Sequence, residues 1–158
     1  MPPPQRLSLQ LASEADTDRL GQALARIVAP NVVIGLTGTL GAGKTRLVRA
    51  LAESLGADPA AIASPTFVLI HEYDARIPVY HFDTYRLKSS DDFEALGAGD
   101  YWNAGGLCLV EWADRVSDLL PPDRWWIHLT PTSPTARHVE LELPDAESLI
   151  QAYRSMSE

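Results

Sequence analysis

The amino-acid sequence predicts an α/β fold in which a mixed β-sheet has helices on its faces. Short apolar runs rich in β-branched residues alternate with segments of helical periodicity. A glycine-rich loop separates one such run, at 32–36, from a helix at 44–55. Two strand-like runs, 66–73 and 77–85, are joined by three residues, which is typical of an antiparallel hairpin.

The elements of the first half follow from local signals. Residues 6–11 alternate apolar and polar side chains, which predicts an edge strand. Ser13 is suited to cap a helix whose apolar residues recur at helical spacing. The run 32–36 predicts a strand buried on both faces. The helix 44–55 has one apolar face, and Gly56 is its expected stop.

The second half continues the alternation with shorter elements. We expect a short helix at 90–96, a glycine-rich loop or broken helix at 97–106, a buried strand at 107–110, a short helix at 113–120, strands at 125–129 and 138–143, and a terminal helix at 145–153.

Length and composition narrow the class of protein. The 158 residues fit a single domain spanning 1–158, with 46% apolar and 22% charged residues as in ordinary globular proteins. No apolar run approaches the roughly 20 residues of a membrane span, and no secretory signal is visible. Cys108 is the only cysteine, so an intrachain disulfide is excluded. We therefore expect a cytoplasmic protein without membrane association.

The charge of the chain argues against direct, tight nucleic-acid binding. The net charge is -8, the only lysines are Lys44 and Lys88, and the arginines are scattered. Neutralising a nucleic-acid backbone requires clustered positive charge. Binding of a small phosphorylated ligand needs only one well-placed lysine. The charge does not exclude protein partners.

The strongest chemical signal is a phosphate-binding loop of the pattern G-x-x-x-x-G-K-[ST]. Its glycines let the backbone curl so that N–H groups point at phosphate oxygens, and the following helix offers its positive end to the same anion. The lysine reaches the outer phosphates, and the threonine hydroxyl suits magnesium. The loop predicts binding of a purine nucleoside triphosphate with Mg²⁺ by Gly38, Thr39, Leu40, Gly41, Ala42, Gly43, Lys44 and Thr45.

Two carboxylates are candidates for the acidic partner that such a loop needs for magnesium. Asp83 ends the apolar run 79–83, and Glu111 ends the run 107–111. Strand ends deliver side chains to the phosphate edge of an α/β sheet. Each carboxylate could instead face solvent or pair with an arginine, so the sequence alone does not decide between these roles.

Three further residues have weaker signals. Thr66, in the Ser-Pro-Thr-Phe string at 64–67, fits a threonine that senses the terminal phosphate, or an ordinary turn. Trp112 is suited to pack against a base or in the core. Arg86 is suited to pair with an acid or a phosphate at the site, or to form an ordinary surface pair. No Asn-Lys-x-Asp guanine signature and no Asp-x-x-Gly after the loop occur, so we expect ATP instead of GTP.

Four strings together resemble the TsaE (YjeE) family of bacterial ATPases in order and spacing. They are Gly-Ala-Gly-Lys-Thr at 41–45 with Arg49 downstream, Ser-Pro-Thr-Phe at 64–67, His-Phe-Asp-Thr-Tyr-Arg-Leu at 81–87 and Leu-Val-Glu-Trp at 109–112. The resemblance extends from about residue 7 to 129. Thr84 stands where a bulkier apolar residue is usual, and Ala113 where proline is common.

The resemblance implies a P-loop NTPase-like sheet, with parallel central strands flanked by antiparallel ones and helices on both faces. It also implies the ATPase component of the machinery that makes threonylcarbamoyladenosine in transfer RNA, acting with TsaB and TsaD. By position, Thr45 and Glu111 would ligate magnesium, and Asp83 would lie beside the phosphates. Thr66 would belong to a switch-like loop, and Trp112 would lie near the nucleotide.

The leading hypothesis is a partner-activated, Mg²⁺-dependent ATPase that acts on a TsaB–TsaD complex, with Lys44, Asp83 and Glu111 as catalytic residues. A small-molecule kinase is the first alternative, although no arginine-rich lid follows the loop. A nucleotide-dependent regulator that does not hydrolyse ATP is the second.

Overall fold

The computed structural model describes residues 3–63, 69–85, 87 and 89–156. The strands are β1 (Gln5–Leu11), β2 (Val33–Gly38), β3 (Ile70–Tyr73), β4 (Val79–Asp83), β5 (Leu107–Glu111), β6 (Trp125–Pro131) and β7 (Arg137–Leu143). The helices are α1 (Glu14–Ile27), α2 (Lys44–Ser54), α3 (Pro59–Ala63), α4 (Ser90–Ala95) and α5 (Ala146–Ser155), with 3-10 helices at Ala98–Tyr101 and Ala113–Leu119.

The strands form one seven-stranded sheet in the order β1-β7-β6-β2-β5-β4-β3. The central strands β4, β5, β2 and β6 run parallel to one another. Antiparallel pairs flank them, β6–β7 and β7–β1 on one side and β4–β3 on the other. This arrangement confirms the predicted mixed sheet, the edge strand near the N-terminus and the antiparallel hairpin in the middle of the sequence, formed by β3 and β4.

Each face of the sheet packs against its own helices. On one face, alternate residues of the strands join the core formed with α1, α2 and α5. On the other face, the intervening residues of β2, β4 and β5 pack with α4 and the two 3-10 helices. The central strand β5 is buried along its whole length, which explains its continuous apolar sequence.

Side-chain hydrogen bonds at the N-termini of two helices explain where these helices begin. The Ser13 side chain accepts a hydrogen bond from the Asp16 amide and caps α1, as expected from the sequence. At α5, the Asp145 side chain accepts one from the Ser148 amide. Within the described part of the chain, no helix is both long enough and apolar enough to cross a membrane.

Several elements differ from the sequence-based prediction. The sequence predicts a short helix at 113–120 without specifying its type. The structure has a 3-10 helix there instead of an α-helix, and it begins after left-handed Trp112 and is interrupted at Val116, whose φ is -132°. Apolar periodicity cannot distinguish these two helix types over two turns. The five-residue α3 had no predicted counterpart, and the loop 97–106 contains one 3-10 turn. The predicted strand 66–73 is described only from Ile70, because 64–68 lie outside the described residues.

The contact between α1 and α2 provides a stability test at Gly21. A Cβ added there would lie 2.6 Å from the Ala50 Cβ and 2.9 Å from the Leu51 amide nitrogen. At an open helical position Gly→Ala stabilises by about 1 kcal/mol. Here we expect Gly21→Ala to destabilise by about 1–3 kcal/mol, because the crowding exceeds that gain.

Urea unfolding measures this difference in the free energy of unfolding. Gly99→Ala is the matched control, because nothing lies within 4 Å of its added Cβ. We expect the control to leave stability unchanged or to raise it by up to about 1 kcal/mol, because its added methyl group meets no neighbour. A Gly21→Ala protein as stable as the unchanged chain would contradict the close packing of these helices.

Candidate functional site

The carboxyl ends of three parallel strands meet at one edge of the sheet. Strand β2 ends at Gly38 and continues into the glycine-rich loop. Asp83 at the end of β4 and Glu111 at the end of β5 are register partners, and Glu111 is also opposite Leu36 of β2. Parallel pairing therefore brings both predicted carboxylates beside the loop.

The loop backbone depends on its glycines. Gly38, Gly41 and Gly43 have φ angles of 143°, 80° and 101°, a region that residues with a Cβ rarely adopt. At Gly38 an added Cβ would also lie 2.5 Å from the Leu129 carbonyl oxygen. Gly43 precedes α2 without a side-chain cap, so the first amides of this helix are left for an anion.

Lys44 is buried beneath the loop, with 4% of its surface exposed. Its Nζ donates to the carbonyl oxygens of Gly38 and Thr39, at 2.6 and 2.9 Å. The same ammonium lies 3.9 Å from the centroid of the Trp112 ring. Burial lowers the pKa of Lys44 below its ordinary value of 10.5, and nearby carboxylates, Glu111 first among them, offset part of this effect.

A chain of hydrogen bonds connects the P-loop helix to the middle of the sheet. The Thr45 hydroxyl donates to Glu111 Oε1 at 3.0 Å. Glu111 Oε2 lies 2.5 Å from His81 Nε2 on the neighbouring strand. The Tyr73 hydroxyl lies 3.2 Å from His81 Nδ1. Glu111 and His81 are both buried, so each depends on the protein for its polar partners.

Trp112 adopts the left-handed conformation with φ 58°, which is unusual for a residue with a large side chain. The buried hydroxyl of Thr84 lies 2.9 Å from the carbonyl oxygens of both Glu111 and Trp112. The Tyr85 ring packs against Trp112 with centroids 4.8 Å apart. Thr84, the departure from the family pattern, therefore has a specific use in holding the turn after β5.

A cavity of about 350 Å³ lies over the loop and includes the predicted carboxylates. Its lining also contains residues that sequence reasoning missed, namely Glu14 and Thr17 of α1, Arg46 of α2, Tyr85, and Thr135 and Arg137 from the β6–β7 region. No sequence motif marks these α1 residues as part of the site, since they precede the loop by more than 20 residues and belong to a separate helix.

Arg137 joins the far end of the chain to the loop. Its Nε donates to the Ala42 carbonyl at 2.7 Å and one terminal nitrogen to the Gly41 carbonyl at 3.0 Å. The other terminal nitrogen donates to the carbonyls of Ser133 and Ala136. One guanidinium thus holds four carbonyl groups, two of them in the loop, by using its planar fork of donors.

The predicted site residues fall into three groups. The loop, Lys44, Thr45, Asp83, Glu111 and Trp112 all line the one cavity described above, except Gly38 and Thr39, which lie below it and accept from Lys44. Leu40 is 74% exposed at the tip of the loop. Thr66 and Arg86 lie outside the described residues, so their predicted roles remain predictions.

The donor set fits the ligands that the sequence predicts. A hydroxyl and a carboxylate converge at the loop, and hard oxygen donors of this kind suit Mg²⁺. The curled glycine backbone, the start of α2 and the buried ammonium of Lys44 suit phosphate groups. The fold and this loop define an α/β protein of the P-loop NTPase class.

Comparisons with known proteins identify the family. A family model described as threonylcarbamoyl adenosine biosynthesis protein TsaE matches residues 11–139. The tRNA threonylcarbamoyladenosine biosynthesis protein TsaE of Treponema pallidum is 42% identical over 109 residues, 69% of this chain and 80% of that protein. The Bacillus subtilis protein of the same name is 38% identical over 121 residues, 76% of this chain and 75% of that protein. The chain belongs to the TsaE family.

A solved structure supports the same conclusion. The crystal structure of YdiB from Bacillus subtilis aligns with a TM-score of 0.76 and 30% sequence identity, and the alignment covers 96% of each chain. The resemblance noted in the sequence is therefore confirmed, together with the P-loop NTPase-like fold and the family's connection to threonylcarbamoyladenosine biosynthesis.

The contacts of Arg137 generate a local test of the loop. Arg137→Ala removes the donors to two loop carbonyls, and hydrogen bonds to charged groups contribute about 1.5–3 kcal/mol each when buried. Because this side chain is partly exposed, we expect a loss of about 1–2 kcal/mol in the free energy of local opening, or roughly 5–30-fold faster exchange. Hydrogen exchange of the Ala42 amide, which donates to the Thr39 carbonyl at 3.0 Å, measures this change.

Arg6→Ala is a control at an exposed arginine of β1, outside the loop contacts. It should leave exchange of the Ala42 amide unchanged. Equal exchange in the Arg137→Ala and unchanged proteins would mean that the guanidinium does not restrain the loop.

Proposed function

We propose that this chain is a Mg²⁺-dependent ATPase that acts on a TsaB–TsaD-type protein complex in threonylcarbamoyladenosine modification of transfer RNA. The observation that carries the proposal is the pairing of Thr45 and Glu111, a hydroxyl and a carboxylate 3.0 Å apart at the first turn of the P-loop helix. Family membership supports the pathway, and the cytoplasm is the compartment we propose for it.

In the proposed reaction, the loop amides and Lys44 hold the phosphates of ATP. Thr45 and Glu111 hold Mg²⁺, which would neutralise charge on the outer phosphates when bound. Asp83 orients the attacking water, and its Oδ1 is already fixed by the Tyr85 amide at 3.0 Å. Trp112 and Tyr85 form the aromatic side of the cavity, beside the loop.

The two arginines that line the cavity within the described part of the chain have contacts that favour activation by a partner. Arg46 pairs with Asp18 and Glu14 on α1, and Arg137 with backbone carbonyls. Neither is left to stabilise charge that develops during hydrolysis, a task that P-loop enzymes often assign to an arginine from a partner. The acidic composition agrees with a protein partner and with no direct, tight contact to nucleic acid.

The first test separates metal binding from phosphate binding. Lys44→Ala should abolish ATP binding, measured by calorimetry, because it removes the buried ammonium at the base of the loop. Glu111→Ala should retain ATP binding without metal and lose at least about 100-fold in Mg²⁺-dependent hydrolysis. Glu140→Ala, an exposed carboxylate on β7, is the control. Full hydrolysis by Glu111→Ala would show the metal assignment to be wrong.

The second test measures partner activation. ATP hydrolysis by this chain should rise by about 10³-fold or more when TsaB and TsaD are added, the scale at which an added arginine acts in related enzymes. Equal rates with and without the partners contradict the proposal. Transfer of phosphate to a small acceptor would favour the kinase, and ATP binding without turnover even with partners would favour the regulator.

A further inference from the structure

The imidazole of His81 occupies a position that the proposed reaction has not yet used. His81 lies on β4 two residues before Asp83, so both side chains are on the same face of the sheet. Val79, on that face, belongs to the core formed with α2. Since Asp83 is opposite Glu111 in the parallel register, His81 reaches Glu111 diagonally from within the sheet.

The two oxygens of the Glu111 carboxylate have different partners. Oε1 accepts from the Thr45 hydroxyl at 3.0 Å, and Oε2 lies 2.5 Å from His81 Nε2. The terminal torsion of a glutamate is broad, so a carboxylate held at one oxygen turns readily. Holding Oε2 from the sheet keeps Oε1 directed at Thr45.

Tyr73 is the third member of the chain. In a neutral imidazole one nitrogen donates and the other accepts. We assign the proton of His81 to Nε2, which faces the Glu111 carboxylate, so that Nδ1 accepts from the Tyr73 hydroxyl 3.2 Å away. Burial, and then the charge of Glu111, raises the pKa of Tyr73, so the phenol retains the proton it donates. The donors therefore run from Tyr73 to His81 to Glu111.

We propose that His81 is a positioning residue, whose Nε2–H holds Glu111 Oε2 so that Oε1 stays available to a magnesium ion beside Thr45. The inference rests on the metal site of the proposed function and adds the residue that orients its carboxylate. Outer hydrogen bonds of this kind typically contribute 10–100-fold to metal affinity. A histidine that only fills the core would affect stability alone.

The test uses Mn²⁺ as a paramagnetic probe of the metal site in the full chain. Electron paramagnetic resonance measures Mn²⁺ affinity for the protein with ATP, and calorimetry measures ATP affinity without a divalent ion. We expect His81→Leu to weaken Mn²⁺ binding by about 10–100-fold and to leave metal-free ATP affinity within about 3-fold. His81→Gln, whose side-chain amide also donates, should recover most of the loss.

Two further variants make the result specific. His138→Leu applies the same substitution to a histidine of β7 whose ring contacts Gln10 and Glu140, and it should bind Mn²⁺ normally. Tyr73→Phe retains the ring and removes only the hydroxyl beside Nδ1, so it should cause a smaller loss than His81→Leu. Thermal melts identify any variant that fails to fold. If His81→Leu does not fold, the Mn²⁺ affinity of Tyr73→Phe tests the role of His81 instead.

The possible results separate this inference from the proposed function. Normal Mn²⁺ affinity in folded His81→Leu, or equal losses in the Leu and Gln variants, overturns the role of His81 and leaves the ATPase proposal intact. Should the unchanged protein with ATP bind Mn²⁺ no better than ATP alone, the metal site itself fails, and the role of His81 fails with it.

Discussion

The hydrogen bond between Thr45 and Glu111 joins the two halves of the site across 66 residues of sequence. Thr45 is in the first turn of α2, and Glu111 ends the fully buried strand β5. This contact requires β2 and β5 to be neighbours in parallel register, since one strand leads into the loop and the other ends beside it. The layout of loop, carboxylates and aromatic residues follows from that pairing.

The buried polar side chains around the loop and the end of β5 each have a hydrogen-bond partner within the protein. Lys44 uses loop carbonyls, Thr45 and His81 share the two oxygens of Glu111, and Thr84 serves the carbonyls of the turn after β5. Polar groups removed from water are costly unless paired, so each partner restricts the next. The base of the site is buried, while Leu40 at the tip of the loop is exposed.

Much of the fold and the centre of the site could be predicted from the sequence because their signals are local. The loop pattern, the strand-end acids and the alternation of strands and helices are each readable within about a dozen residues. His81 was not singled out, since a histidine within an apolar strand is also typical of a core residue. Its use depends on the register of β4 with β5, which no local pattern specifies.

Other features depend on distant pairing or on backbone geometry that side-chain patterns do not encode. Arg137 reaches the loop only because β7 lies beside β6, and β6 beside β2. The sequence predicts a short helix at 113–120 but neither its 3-10 type nor the left-handed turn at Trp112, because the apolar spacing is nearly the same for both helix types. The family strings do not indicate these contacts.

The hold of Arg137 on the loop has a consequence for the order of assembly. The guanidinium and the Ala42 carbonyl that it binds are 95 residues apart in sequence. Because β7 lies beside β2 only through β6, we expect this contact to form only after β6 has paired with β2. In a partly folded chain, the glycine-rich loop would therefore lack its hydrogen bonds to Arg137. We expect tight ligand binding only once the whole sheet has formed. Ligand binding should in turn raise global stability instead of ordering one segment.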